Sequence, residues 1–199
     1  ALSWWYFELL NRIVRNWWYE GNESFGPLTY VLYATLCFST VLPAVLAARH
    51  LLATVPRLRR AYGNGPRLAW FDRSRAVPWI AAGAAGLFLT ALFPEPLFFM
   101  TWLAPLAILA GALAAAGRPT PLHPLARGDA SDLVVSALAA LLCGVFWELW
   151  NVVSLPKWHY DVPYVDILHV FEMPLLGYAG YLPFGLACVC FAVLFGTQS

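Results

Sequence analysis

Residues 133–153 read LVVSALAALLCGVFWELWNVV, and this stretch contains one charged side chain, Glu148. A helix that crosses a bilayer needs about 20 mostly apolar residues, so the stretch predicts a membrane span. The whole chain has the same character, because 61% of its 199 residues are hydrophobic and only 12% are charged. A soluble domain carries roughly 25% charged residues. We therefore predict an all-α, polytopic helical bundle in a membrane.

Five further stretches meet the same length rule, which gives about six spans in one membrane domain, 1–199. The last of them contains Pro174 and Pro183, so its first part is expected to be kinked or re-entrant. These five predicted spans are 1–17, 28–48, 77–94, 97–116 and 168–195.

Arginines predict the orientation of the bundle. The loop 49–75 holds seven arginines against one acid, and the loop 117–132 adds two more. Because basic loops stay in the cytoplasm, both loops are predicted to be cytoplasmic and the chain to lie in a bacterial inner membrane. The net charge of +1 argues against a nucleic-acid partner.

The chain also matches itself at an offset of 140 residues. Glu8-Leu9-x-Asn11 falls on Glu148-Leu149-x-Asn151, and Trp18 falls on Trp158. Fixed-offset similarity predicts a parallel internal duplication of 1–47 and 141–187. The domain then divides into repeat A (1–48), an inserted hairpin (77–116) and repeat B (133–195). The duplication predicts that Glu8 and Glu148 lie at matching depth and face one another.

Glu148, with Asn151 to orient it, is the first candidate for catalysis, because acids inside a membrane are costly and commonly functional. Glu8 is the second candidate, although an ion pair with Arg12 one turn along the helix is an alternative that we favour. Most of the other tryptophans, including Trp4, Trp17 and Trp102, are interpreted as interfacial anchors.

Asp166, His169 and Glu172 are spaced three apart and would share a face of a helix. His169 and Glu172 are predicted as a base or second acid, or alternatively as metal ligands together with Asp166, His159 or Glu148. No metal motif of regular spacing is present, so no metal is predicted, and the sequence indicates no particular cofactor. The predicted substrate-binding residues are Asn11, Trp150, Trp158, His159, Tyr160, Tyr178 and Tyr181.

The run Phe171-Glu172-Met173-Pro174-Leu175-Leu176-Gly177-Tyr178-Ala179-Gly180-Tyr181-Leu182-Pro183-Phe184 resembles a signature of bacterial polytopic membrane proteins that have no established activity. The segments 147–151 and 157–160 fit the same pattern. The overall plan, a small bundle with intramembrane acids and duplicated halves, is also similar to that of membrane lycopene cyclases and related isoprenoid cyclases. Their diagnostic motif is absent, so this similarity implies no residue roles.

These features lead to three functional hypotheses. The first is a membrane-embedded enzyme that acts on a lipophilic substrate, such as an isoprenoid, by intramembrane acid–base chemistry. The second is a non-catalytic subunit that binds lipids or other membrane subunits through its aromatic faces. The third is a proton-coupled small carrier that uses Glu148 as its proton site.

Overall fold

A computed structural model of the chain is mostly helical, and it describes residues 1–69 and 72–196. Residues 70 and 71 of the predicted 49–75 loop, and the last three residues of the predicted domain, lie outside the described residues. The helices are α1 (Leu2–Val14), α2 (Pro27–Ser39), α3 (Val41–Ala53), α4 (Pro56–Tyr62), α5 (Ala76–Leu92), α6 (Met100–Ala115), α7 (Ser131–Asn151) and α8 (Tyr181–Leu194). The strands are β1 (Trp17–Glu20), β2 (Lys157–Tyr160), β3 (His169–Val170) and β4 (Met173–Pro174).

Four helical segments in the described ranges are long and apolar enough to cross a membrane. These segments are Pro27–Ala53, Arg73–Leu92, Ser131–Asn151 and Leu175–Leu194. The predicted class, an α-helical membrane protein, is confirmed at this level. Two of the six predicted spans are shorter than expected, since α1 has 13 residues and α6 has 16.

The first part of the predicted span 168–195 is not an α-helix. Strand β3 pairs with β4 in a short antiparallel hairpin, a 3-10 turn follows at Leu175–Gly180, and α8 begins only at Tyr181. Leu168 and Phe171 have positive φ angles of 54° and 59°, which an α-helix does not accommodate. The prediction that Asp166, His169 and Glu172 share a helix face is therefore wrong.

The long helices pack closely because small residues lie where they meet. Helix α7 packs against α3 and α8, and α6 packs against α5 and α8. A Cβ atom at Gly83 would lie 2.7 Å from the Ala104 carbonyl oxygen, and one at Gly111 would lie 2.9 Å from the Ala76 oxygen. Only glycine at these positions lets the backbones of α5 and α6 approach so closely.

The two ends of the bundle have different chemistry. At one end, called here the arginine end, Arg49 of α3 bonds to Asp132 (3.3 Å) and Ser136 (3.2 Å) of α7. Arg118 donates there to the last carbonyls of α8. At the opposite end, called the aromatic end, the C-terminus of α7 meets the N-terminus of α8 beneath β1 and β2. Helix α7 is thus antiparallel to both α3 and α8.

Candidate functional site

Strands β1 and β2 form a short antiparallel ladder over the aromatic end. Trp17 pairs with Tyr160, Trp18 with His159, and Tyr19 with Trp158. Alternate residues of a strand point to opposite faces. The inner face of the ladder consists of Trp17, Tyr19, Trp158 and Tyr160, all of which line one cavity. The outer face carries Trp18, Glu20, Lys157 and His159.

Two asparagines hold the strands in place from the helices below. The Asn151 side chain donates to the Trp158 carbonyl (2.7 Å) and accepts from the Trp158 backbone N–H (2.9 Å). Asn11 makes the same two bonds with Trp17, at 2.7 Å and 3.2 Å. Asn151 is fully buried. These two predicted site residues therefore position the tryptophans through the backbone and do not line the cavity.

Glu148 is fully buried at the C-terminal end of α7, immediately behind the cavity wall. Its Oε1 accepts from the Tyr160 hydroxyl (2.6 Å), the Tyr181 hydroxyl (3.1 Å) and the Trp158 indole N–H (3.3 Å). Its Oε2 has no hydrogen-bond partner among the described residues. Burial, together with the nearby Tyr181 and Glu148, holds the pKa of Tyr160 well above its ordinary value, so this hydroxyl stays protonated.

Glu8, in the middle of α1, has a similar set of donors, but it is only half-buried. Its Oε1 accepts from the Tyr19 hydroxyl (2.6 Å) and from the indole N–H groups of Trp4 (3.0 Å) and Trp17 (3.1 Å). The expected ion pair with Arg12 is not formed, because these aromatic donors surround the carboxylate instead. Arg12 lies along an open cleft beside Glu8.

The two carboxylates do not meet. In the described part of the chain, no hydrogen bond joins Glu8 to Glu148, and they share no donor. The expected contact between Glu8 and Glu148 is therefore not formed. Each acid bonds to the tryptophan and tyrosine of the strand that follows its own helix.

The cavity has a volume of about 350 Å³ and an apolar wall. This volume falls within the range of small-molecule sites, about 300–1,000 Å³. No lysine, arginine, histidine, aspartate or glutamate is among the lining residues. Thirteen of the lining residues are aromatic: Trp4, Trp17, Tyr19, Phe25, Tyr30, Tyr33, Phe38, Trp102, Trp147, Trp150, Trp158, Tyr160 and Tyr181.

Four of the predicted substrate-binding residues line this cavity, namely Trp150, Trp158, Tyr160 and Tyr181. Tyr178 is buried beside it and donates to the Val170 carbonyl (3.0 Å). His159 lies on the outer face of the ladder, away from the cavity.

The outer face of the ladder carries a chain of charged groups. Lys157 Nζ lies 2.6 Å from Glu172 Oε1, and His159 lies between Glu172 (Nδ1 to Oε2, 3.2 Å) and Glu20 (Nε2 to Oε2, 2.9 Å). The His159 ring also stacks on Trp18, with centroids 4.6 Å apart. The hydrogen bond from Lys157 is the main cause that lowers the pKa of Glu172. This chain of groups joins both strands to the 161–174 loop.

His169 is separate from these groups, since its Nε2 lies 2.9 Å from Asp166 Oδ1 at an exposed position. It makes no hydrogen bond to Glu148 in the described ranges. The alternative of a metal site is not supported, because no group of three or more His, Cys, Asp or Glu side chains among the described residues could hold a metal ion.

Sequence reasoning missed the half of the wall that comes from the first part of the chain. Trp4, Trp17 and Trp102 were expected at the membrane surface, but they pack inside. The Trp102 ring stacks on Phe7 (centroids 5.1 Å apart) and on Trp17 (5.9 Å). The pattern Trp17-x-Tyr19 repeats as Trp158-x-Tyr160, and an alignment that allowed a one-residue gap would have found it.

The arrangement places phenolic hydroxyls and indole N–H groups between a buried carboxylate and an apolar space. In chemical terms, an apolar space of this size suits a lipophilic molecule, and Tyr160 or Tyr181 could relay a proton between such a molecule and Glu148. Neither a protein-family model, nor a curated protein, nor a solved structure matches this chain.

Proposed function

We propose that the chain is an internally duplicated membrane protein whose two copies enclose a site for a lipophilic molecule. The register of the ladder supports the duplication. At an offset of 141 residues, Trp17 is equivalent to Trp158, Trp18 to His159 and Tyr19 to Tyr160. Replacing each residue by its equivalent converts the pair Trp17–Tyr160 into the pair Trp158–Tyr19 and maps the pair Trp18–His159 onto itself. A two-fold axis through the Trp18–His159 pair has this property.

The hydrogen bonds of the two copies support the same axis. In both copies a glutamate on a helix accepts from a tryptophan and a tyrosine of the following strand, and an asparagine three residues later holds that tryptophan. The offset is 140 at Glu8 and Asn11, 141 at Trp17, Trp18 and Tyr19, and 140 again where Leu42-Pro43 matches Leu182-Pro183. The second copy therefore has one extra residue before its strand and one fewer after it. The equivalent of Trp158 in the first copy is therefore Trp17, and not Trp18 as an alignment without gaps predicts.

A compensating pair of replacements also supports the duplication. The third donor to Glu8 is Trp4, and the position equivalent to Trp4 in the second copy is Gly144. A Cβ atom at Gly144 would overlap the ring of Tyr181, which supplies the third donor to Glu148. The position equivalent to Tyr181 is Val41. Each copy thus has one aromatic side chain as its third donor. In the first copy it comes from the helix that carries the glutamate, and in the second it comes from the neighbouring helix α8.

We propose six membrane-embedded segments, with α1 and α6 as the shorter ones, in a bacterial inner membrane. The arginine end faces the cytoplasm, because its loops contain the excess of basic side chains. The aromatic end and its ladder then face the opposite side. The tryptophans and tyrosines there suit the boundary between lipid and water.

As the function, we propose a membrane-embedded enzyme that acts on a lipophilic, isoprenoid-type substrate by acid–base chemistry. The observation that carries this proposal is the apolar cavity whose wall contains Tyr160 and Tyr181, both bonded to a fully buried carboxyl group. When Glu148 is protonated, its O–H can donate to the Tyr160 oxygen, which reverses the bond seen between them. Tyr160 then passes its own hydroxyl proton to the substrate and takes the Glu148 proton in exchange, which leaves a carboxylate. Return of a proton along the same path restores the site.

The experiment compares wild type with Glu148→Gln and Tyr160→Phe, each expressed in a bacterial host and assayed in nanodiscs with the host's extracted lipids. We expect folded variants whose lipid products, identified by mass spectrometry, are reduced at least tenfold. Glu95→Gln, which removes an exposed acid between α5 and α6, is the control and retains wild-type products.

Identical products from wild type and a folded Glu148→Gln variant would overturn the enzyme proposal. Loss of a co-purifying membrane subunit in that case favours the non-catalytic subunit. Loss of a pH-driven flux in vesicles favours the proton-coupled carrier.

A further inference from the structure

The polar groups in the cavity wall that bond to Glu8 and Glu148 point their protons away from the cavity. The hydroxyls of Tyr160, Tyr181 and Tyr19 and the indole N–H groups of Trp17 and Trp158 donate to the carboxylates behind the wall. The faces of these rings and the lone pairs of the phenolic oxygens remain for the cavity. Aromatic faces carry the negative part of the ring quadrupole, so the wall presents negative charge density from two sides.

Neither acid behind the wall forms an ion pair among the described residues, although Arg12 lies beside Glu8 in the adjoining cleft. No ion pair involves Glu8 or Glu148 in the described ranges, where the five ion pairs all lie elsewhere. The lining contains no basic side chain. A positive charge in the cavity therefore meets no basic side chain in the lining, and it stabilises the ionised form of Glu148.

We propose that the cavity is a cation-binding aromatic cage, selective for a quaternary-ammonium-type group or for a substrate that becomes cationic when it accepts a proton. This inference rests on the proposed function, since it names the charge of the molecule that the lipophilic site takes. Desolvated aromatic cages recognise such cations through their ring faces. A substrate that gains positive charge from Tyr160 is then opposed by the carboxylate that remains on Glu148.

The test separates charge from shape with two water-soluble probes, choline and its uncharged carbon isostere 3,3-dimethylbutan-1-ol. Their binding to wild type in nanodiscs is followed by tryptophan fluorescence, with empty nanodiscs as the blank for partitioning. We expect choline to bind on the order of tenfold more tightly than the isostere. Equal affinities, or binding of neither probe, would overturn the proposal.

Variants then assign the preference to this cavity. Glu148→Gln and Trp158→Leu are expected to lower the choline preference at least threefold, whereas Glu95→Gln leaves it unchanged. Should Glu148→Gln fail to fold, Glu8→Gln tests the half-buried acid on the other side of the cavity. A preference that survives the folded variants on both sides would refute the cage.

The outcomes distinguish this inference from the proposed function. Altered lipid products in Glu148→Gln without any choline preference in wild type would leave the enzyme proposal intact and remove the cage. A choline preference in wild type without altered lipid products in Glu148→Gln would support the cage and overturn the enzyme proposal.

Discussion

At the scale of single residues, the site depends on polar side chains that fix the positions of its aromatic residues. Asn151 is fully buried, and its side-chain amide forms hydrogen bonds with both the backbone C=O and the backbone N–H of Trp158. The indole of Trp158 then reaches Glu148. The strand therefore has a fixed position relative to α7, and the carboxylate has a fixed donor.

Asn151→Ala is expected to destabilise the protein by about 1–3 kcal/mol, because it leaves the Trp158 N–H and C=O without their partner in a buried place. Thermal unfolding in detergent, followed by tryptophan fluorescence, measures the change. Asn22→Ala, in the loop after β1, is the control and is expected to stay within about 0.5 kcal/mol. A wild-type melting temperature for Asn151→Ala would contradict the role of this clamp.

Gly144→Ala tests the contact between α7 and Tyr181. The added methyl group would overlap the Tyr181 ring, so we expect a loss of about 1–3 kcal/mol and a weakened bond from Tyr181 to Glu148. Unfolding curves give the stability. Gly26→Ala is the matched control, because nothing lies within 4 Å of a Cβ atom there. Equal effects of the two substitutions would show that the Tyr181 contact has no special cost.

At the scale of elements, the β1–β2 ladder is a lid over the cavity, and its two faces differ in chemistry. Its inner face is aromatic and closes the cavity, while its outer face carries the chain of Glu20, His159, Glu172 and Lys157. Because the side chains of a strand alternate, one four-residue strand serves both purposes. The charged groups fix the lid to the 161–174 loop without entering the apolar space.

This chain of charged groups predicts an acid-sensitive contribution to stability. The pKa of Glu172 is lower than its ordinary value of 4.5. As the pH falls, Glu172 therefore binds a proton in the unfolded state before it does so in the folded state. The contribution of ionised Glu172 to stability is complete above the ordinary pKa, and it is lost as the pH falls through the lower pKa of the folded state. We expect the difference in melting temperature between wild type and Lys157→Met to shrink as the pH is lowered from 6 to about 3.

Glu172→Gln provides the control for this titration. In that background Lys157→Met should have a small effect that does not vary with pH, because the titrating partner is gone. A pH-dependent effect of Lys157→Met without Glu172 would assign the titration to another group.

At the scale of the whole molecule, the bundle has an aromatic end and an arginine end, and the proposed orientation can be tested directly. In a cysteine-free background, Glu23→Cys is expected to react with a membrane-impermeant maleimide in intact cells. Arg59→Cys and Arg127→Cys are expected to react only after permeabilisation. Labelling with the opposite pattern would invert the orientation.

Much of the architecture could be predicted from the sequence, because hydrophobic length alone marks stretches such as 133–153. The same rule overextended the last span, since it counts apolar residues and does not detect positive φ at Leu168 and Phe171. Glu148 and Asn151 stand out in the sequence because an acid and an amide are unusual in an apolar stretch.

The other half of the cavity wall could not be identified in the same way. A tryptophan at an interface and one inside a cavity have the same sequence environment, so Trp4, Trp17 and Trp102 were misplaced. Their placement depends on tertiary contacts, such as the stacking of Trp102 on Phe7 and Trp17. The expected pairing of Glu8 with Arg12 failed for the same reason, because nearby spacing does not reveal competing donors from a distant strand.

The Trp18–His159 pair is the single place where the proposed axis crosses the ladder. In a half-length ancestor that assembled as a symmetric dimer, this position would have set one residue against an identical copy of itself. Joining the halves in one chain removes that constraint, so an imidazole that contacts two carboxylates can lie beside an indole. Under the proposed duplication, two unlike residues thus meet at the one position where a symmetric dimer would have required identical ones.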